Sequence, residues 1–405
     1  MKLSSGAAEI AAYGLIAGAV WLGWEMVKVP IASRAPPAIA LRISPNSEEA
    51  LQRASEIEFS EGRFENAEAL ATDSLRRAPF NARSLRVLGL ATAEEGQLGQ
   101  ADAMLTLAGN WSLRDDPAHA WLVERRLRQG NYSSAFAHAD TLARRREDSY
   151  AAIFNLYATA ALADPRALKP LSETVGLRPP WRGPFIEHLL RRKDGDPVAF
   201  ALAVALEKKE GAFSDPELRA LYLNWLGERR LPAMHLLRRE LGRPGPEGLQ
   251  DGEFSVQPDE ALLPFGWNII TQKGFFSSLV EDDLRDSDTA LRVEYDGYST
   301  GVAVEQLLML ASGPHRLRGE YRIEVSPPES RLAWTVRCLE DGKVIARSPV
   351  PVASGEISRW TRFQMEFTVP DTNCSTQMLQ LQASPLDRRD STVAWFDKFD
   401  VERAQ

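Results

Sequence analysis

"EGRFENAEA", Glu61 to Ala69, is answered by "EGQLGQADA" from Glu95 and by "QGNYSSAFA" from Gln129. Gly62, Gly96 and Gly130 stand 34 residues apart, as do Ala67, Ala101 and Ala135, and as do Phe64, Leu98 and Tyr132. A period of this length marks stacked helix–turn–helix units. Glycine closes the first helix of each unit because it adopts positive φ without steric cost. The large residue two positions on packs into the neighbouring helix. The alanine five positions after the glycine lets two helix axes approach closely.

Over residues 47 to 148 this pattern resembles the tetratricopeptide repeat family. Leu85, Leu88 and Gly89 match its first-helix positions, Ala108 or Leu142 the second-helix ones, and Pro79 the terminating proline. Ser55 and Val123 depart from it, standing where a small first-helix residue is usual. The resemblance implies a curved solenoid whose concave face takes a polar peptide or protein segment. The inward positions it implies are Glu56 in the first repeat, Arg83 and Arg86 in the second, and Glu124 and Arg128 in the third.

Beyond Tyr150 the phrase fades but the helical period does not. "YAAIFNLYATAALA", "DPVAFALAVALEKKEG", "DPELRALYLNWLGERR" and "LPAMHLLRREL" keep apolar residues three and four apart. In the third of these Asp215 reads as the N-cap and Pro216 as the first helical residue. "LRPPWRGP" interrupts the run, and "GRPGPEG", Gly242 to Gly248, reads as a linker. The helical solenoid is therefore expected over residues 45–245, its last helices being degenerate repeats.

After the linker the period becomes two. In "HRLRGEYRIEV", Leu317, Gly319, Tyr321, Ile323 and Val325 alternate with Arg316, Arg318, Glu320, Arg322 and Glu324. Leu332, Trp334, Val336 and Cys338 share one face of "LAWTVRC". "TRFQMEFTV" is expected to bury Thr361, Phe363, Met365, Phe367 and Val369 and to expose Arg362, Gln364 and Glu366. One apolar and one polar face per strand, with turns such as "EDGK", predicts an antiparallel β-sandwich over residues 246–405.

The order of four segments in that region resembles carbohydrate-binding modules of the galactose-binding-like, jelly-roll type. They are "DGEFSVQPDEALLPFGWNI", "TALRVEYDG", "RWTRFQMEFTVP" and "VAWFDKFDVE", within residues 249 to 403. The resemblance implies glycan binding. Trp360, Arg362 and Gln364 share an exposed face, with Arg318, Arg322 and Arg337 as further candidates, since indoles stack on sugar rings and guanidinium forks pair with carboxylates or hydroxyls. Trp334 and Trp395 read as core. A structural calcium between the first strand and Asp397 is also a family feature, but Ser255 replaces the family's opening carboxylate.

At the other end, "IAAYGLIAGAVWLGW", Ile10 to Trp24, carries no charge. Its length lies between a signal-peptide core and a spanning helix, so an uncleaved signal-anchor and a cleaved signal peptide both stay open. Residues 1–44 then comprise this helix and the Pro-rich spacer "VPIASRAPPAIA". Cys338 and Cys374 are the two cysteines of the chain. They are either isolated thiols or, in an exported domain, a disulfide.

A formal charge of −8 argues against the clustered basic face that nucleic acid requires. The five histidines, His119, His138, His188, His235 and His315, are scattered. No HExxH and no Gly-Lys-Ser phosphate loop occurs. Asp286 to Asp288, "DSD", reads as a solvated turn. No cofactor and no metal are expected. The chain reads as a non-catalytic scaffold on the bacterial inner membrane: single-pass, with its domains in the periplasm, binding protein through the solenoid and polysaccharide through the sandwich. By analogy of architecture it would serve envelope or exopolysaccharide assembly. The rival readings are a polysaccharide-acting enzyme or its accessory, and a purely protein-binding component.

Overall fold

Ser47, Asn81 and Asp115, again 34 residues apart, each accept a backbone N–H with the side chain, from Ala50, Ser84 and Ala118 respectively. This is N-capping, and it starts three helices in phase. The computed structural model describes residues 34–242, 248–255, 264–284, 288–325, 332–351, 359–384 and 391–404. After a short α1 (Pro37–Ile43) come three helix pairs: α2 (Glu48–Ser60) with α3 (Phe64–Arg77), α4 (Ala82–Glu94) with α5 (Leu98–Trp111), and α6 (Asp116–Arg128) with α7 (Tyr132–Ala143).

Gly62, Gly96 and Gly130 sit between the partners at φ of 75°, 81° and 68°. That left-handed conformation is the reason for glycine there. Ala67, Ala101 and Ala135 are completely buried, as the close approach of axes demands. Gly89 is held by contact rather than by φ: a Cβ on it would lie 2.8 Å from Cγ of the fully buried Leu105. These residues form an α-helical repeat region. It continues with α8 (Tyr150–Ala163) and α9 (Leu168–Gly176). Trp181, from the Pro-rich interruption, is fully buried against Phe154 and Tyr157 and donates its indole N–H to Asp140 at 2.8 Å.

The chain forms two compact units, Met1–Arg182 and Gly183–Gln405. The second contains α10 (Arg182–Arg191, whose first residue lies at the division), α11 (Asp196–Leu206), α12 (Asp215–Gly227) and α13 (Leu231–Glu240), followed by the strands. The N-cap of α12 is Ser214, one position earlier than expected. Its backbone N–H is bonded by the Glu217 carboxylate at 2.8 Å, a capping box that outcompetes Asp215.

Among the described residues ten strands build two antiparallel five-stranded sheets. They are β1 (Asn268–Ile269), β2 (Phe275–Asp282), β3 (Asp288–Tyr295), β4 (Gly301–Leu308) and β5 (Gly313–Val325), then β6 (Leu332–Cys338), β7 (Val344–Pro349), β8 (Thr361–Val369), β9 (Gln377–Ala383) and β10 (Thr392–Arg403). One sheet runs β1-β4-β9-β6-β7, the other β2-β3-β10-β5-β8. Between them lies one aromatic core, with Trp334 packed on Phe396 and Phe399 and Trp267 stacked on Phe254. Leu332, Trp334, Val336 and Cys338 all enter it, as do Met365, Phe367 and Val369. Thr361 does not. It is exposed at the start of β8, where the alternation runs past the edge of the core.

Cys338 and Cys374 form a disulfide with Cα atoms 4.8 Å apart. It closes the end of β6 onto the entry to β9, the strand paired beside it, and both cysteines lie in the core. Among the described residues no helix is long and apolar enough to cross a membrane. The expected span at residues 10–24 lies outside the described residues, as do Asp286, Ser287 and the side chain of Asp288.

Candidate functional site

The outer face of the β2-β3-β10-β5-β8 sheet carries most of the residues expected to meet a glycan. The strand register sets Arg292, Trp395 and Arg322 side by side across β3, β10 and β5. Trp360, immediately before β8, falls next in that row, because Thr361 pairs with Tyr321. Trp395 is therefore not in the core, contrary to the expectation. It is buried beneath cations on the outer face, with its indole N–H donated to Glu324 at 2.8 Å. The register of β10 turns Ala394 and Phe396 inward and Trp395 outward, although all three belong to one apolar run.

Arg322 is the centre of this row and is only 7% exposed. Its guanidinium carbon lies 4.4 Å from the centroid of Trp395 and 5.9 Å from that of Trp360. One of its nitrogens donates to Asp282, itself buried, at 3.1 Å. The second oxygen of Asp282 accepts the indole N–H of Trp360 at 2.8 Å. A buried cation needs such a counter-charge, and two indole faces add cation–π attraction. Arg322 is consequently spent on structure. It fixes Trp360, half-buried, at the sheet edge and is not available to a ligand. Asp282 is the member of the cluster that sequence reading missed. It ends β2 in an ordinary acidic turn, and only the sheet register reveals its partners.

Further along the face the side chains are open. Arg362, whose side chain is 91% exposed, and Gln364 flank a groove of about 540 Å³ also lined by Arg318, Glu320, Lys398 and Asp400. Arg318 pairs with Glu402 at 3.1 Å and Arg362 reaches Glu320 at 3.4 Å. The groove thus offers forks, an amide and carboxylates in alternation. Arg337 takes no part, because it lies on β6 in the opposite sheet.

In the repeat region, Arg86 is likewise committed. It donates to both oxygens of Asp115, at 3.1 and 3.2 Å, and pairs with Glu56, linking three successive units. It is therefore a clamp between repeats rather than an open ligand residue. Glu124 and Arg128 pair with each other on an exposed helix face, and Arg83 is exposed. Arg126 adds a second link, to Asp102 at 2.6 Å, which lowers the Asp102 carboxyl below its ordinary range.

Among the described residues no group of three or more His, Cys, Asp or Glu could hold a metal ion. Asp397 accepts the N–H of Lys398 at 2.7 Å, and Ser255 donates to Asp251 at 2.8 Å.

No protein-family description matches the chain, and no curated protein does. Solved structures resemble it weakly and in part, with carbohydrate-binding module folds among them. A candidate sugar-binding protein from Bacteroides thetaiotaomicron is 8% identical, covering 38% of this chain and 99% of its own, at a TM-score of 0.30. A family 4 carbohydrate-binding module is 14% identical, over 38% and 99%, at 0.29. The xylan-binding domain of Xyn10C from Paenibacillus barcinonensis is 12% identical, over 38% and 92%, at 0.27. Identities and TM-scores this low carry no functional information.

Proposed function

We propose that this is a non-catalytic binding protein whose sandwich holds a polysaccharide along the outer face of β8, β5 and β10. In this reading the sandwich is a jelly roll of the galactose-binding-like kind, spanning residues 246–405. Residues 45–245 are a tetratricopeptide-type solenoid for a protein partner, and residues 1–44 anchor the chain at the bacterial inner membrane with its domains in the periplasm. The observation that carries the glycan reading is the open groove beside Trp360, where Arg362 and Gln364 stand in solvent on the sheet face that also carries the Asp282–Arg322–Trp395 cluster. Planar donors and amides beside an aromatic edge suit a hydroxyl-rich chain. The disulfide supports the export reading, since such bonds persist in oxidising compartments.

Retardation of the protein in native gels containing soluble polysaccharides tests the first claim. The double variant Arg362→Ala, Gln364→Ala should lose retardation without loss of thermal stability, because both side chains are exposed. Undiminished retardation would exclude the groove, and release of reducing sugar would point to an enzyme instead. A phosphatase fused after Gln405 should be active in an intact bacterium. Activity confined to lysed cells contradicts the periplasmic assignment.

A further inference from the structure

β10 does not run straight past β5. Asp397 pairs with Glu320 and Asp400 with Arg318, so two residues of β10, Lys398 and Phe399, stand opposite the single residue Gly319. This is a β-bulge, a device that re-aims a side chain. Gly319 makes room for it, because a Cβ there would lie 2.7 Å from Cε1 of Phe363 and 3.2 Å from Cδ2 of Phe399. Phe399 turns into the core, and Lys398 is left exposed on the groove already described.

Two observations separate Lys398 from an ordinary surface lysine. Its φ is 54°, in the left-handed region that residues with a Cβ disfavour. The backbone is nevertheless held there from both sides. Asp397, fully buried, accepts the N–H of Lys398 at 2.7 Å, and the N–H of Phe399 is donated to the carbonyl of Gly252 at 2.8 Å. Glycine would adopt this conformation without strain, so what lysine adds is its side chain. Strained backbone of this kind gathers at ligand sites. The second observation is electrostatic. Arg318 is paired with Glu402, and Arg362 reaches Glu320. Among the described residues Lys398 is the cation of the groove without an ion pair.

The register places one strand, β5, between Lys398 and Arg362, so their backbones are about 10 Å apart. The side chains border one groove and both are exposed. Charge narrows the ligand that Lys398 meets. Glu320 and Asp400 line the same groove and would repel a dianion such as a phosphate ester. A carboxylate carries a single charge and accepts a charge-assisted hydrogen bond from an ammonium. We propose that the polysaccharide held in this groove carries carboxylates, as a uronic acid polymer does, and that Lys398 pairs with them. This inference rests on the reading of the groove as a glycan site; it adds the charge of the glycan and the residue that selects it.

Native gels containing polygalacturonate or alginate, each beside its methyl ester, give dissociation constants for the full chain. The ester keeps the sugar backbone and removes the charge. At least one acid should bind tighter than its ester by about fivefold or more. Lys398→Gly, whose backbone suits the bulge, should abolish that preference by weakening the acid alone, with no loss of thermal stability. Should this variant not fold, the comparison of acid with ester in the wild-type chain still decides. Equal binding of acid and ester, an undiminished preference in Lys398→Gly, or binding to neutral polysaccharides alone overturns the proposal. In each of these cases the glycan reading stands if the Arg362→Ala, Gln364→Ala variant loses retardation. Retardation by no polysaccharide overturns both.

Discussion

Arg86→Met removes one charge from the repeat region and leaves the hydrocarbon stem in place. The arginine side chain is 12% exposed, that of Asp115 1% and that of Glu56 31%. Deleting the guanidinium therefore strands a carboxylate that water cannot reach. Breaking a buried ion pair in this way costs roughly 3–5 kcal/mol. Asp115 keeps the N–H of Ala118 at 3.2 Å and lies at the N-terminus of α6, whose dipole favours its charge. The expected loss is accordingly at the lower end of that range, about 3 kcal/mol. Glu56→Gln disturbs a wetter partner and should cost less than about 1 kcal/mol. Urea unfolding at neutral pH, followed by helical circular dichroism, measures both. Asp115→Asn added to Arg86→Met should recover part of the loss, since asparagine still caps the helix and needs no counter-ion. If Arg86→Met unfolds within about 0.5 kcal/mol of the parent, the clamp is not structural and the residue returns to the list of ligand contacts.

Three further outcomes are expected. Ala101→Leu overfills the fully buried contact between α4 and α5 and should lower stability by about 1–3 kcal/mol, read from the same urea transition. Replacing both Cys338 and Cys374 by serine opens a 36-residue loop and should destabilise the sandwich by about 4 kcal/mol while leaving the circular dichroism of the helical repeats in place. His119 and His138 face each other with Nδ1 atoms 3.0 Å apart, and burial holds both below the ordinary histidine range, His138 at about 4. The folded state then binds fewer protons than the unfolded chain below pH 6.5, so stability is full above that value, falls as pH drops towards 4 and levels off beneath it. The slope per histidine stays under about 1.4 kcal/mol per pH unit, because each ring takes up at most one proton. A His119→Gln, His138→Gln variant should flatten the decline between pH 6.5 and 4, and an unchanged profile would assign the dependence to other groups.

The helical repeats were legible because their causes are local. A glycine at positive φ, a capping side chain and a buried alanine recur every 34 residues, and each acts within a turn or two of its own position. Strand alternation was legible for the same reason in β6 and β8. Which strands become neighbours is not local, and the errors gather there. Arg337 and Arg318 read as equivalent outward cations, yet they lie on opposite sheets. Trp395 reads as core because it sits in an apolar run, and only its pairing with Arg292 and Arg322 shows that it faces outward. Arg86 fits an open concave face until Asp115, 29 residues on, arrives beside it. Lys398 could not be anticipated at all, since the bulge that presents it exists only once β10 is paired with β5.

Hydrogen–deuterium exchange on the whole chain, with and without a polysaccharide that retards it, tests the glycan assignment most directly. Protection should appear in peptides spanning Thr361–Val369 of β8 and Gly313–Val325 of β5, which border the groove. It should vanish in the Arg362→Ala, Gln364→Ala variant. Protection confined to β1, β4, β9, β6 and β7 of the opposite sheet, or to the helical repeats, would contradict the account.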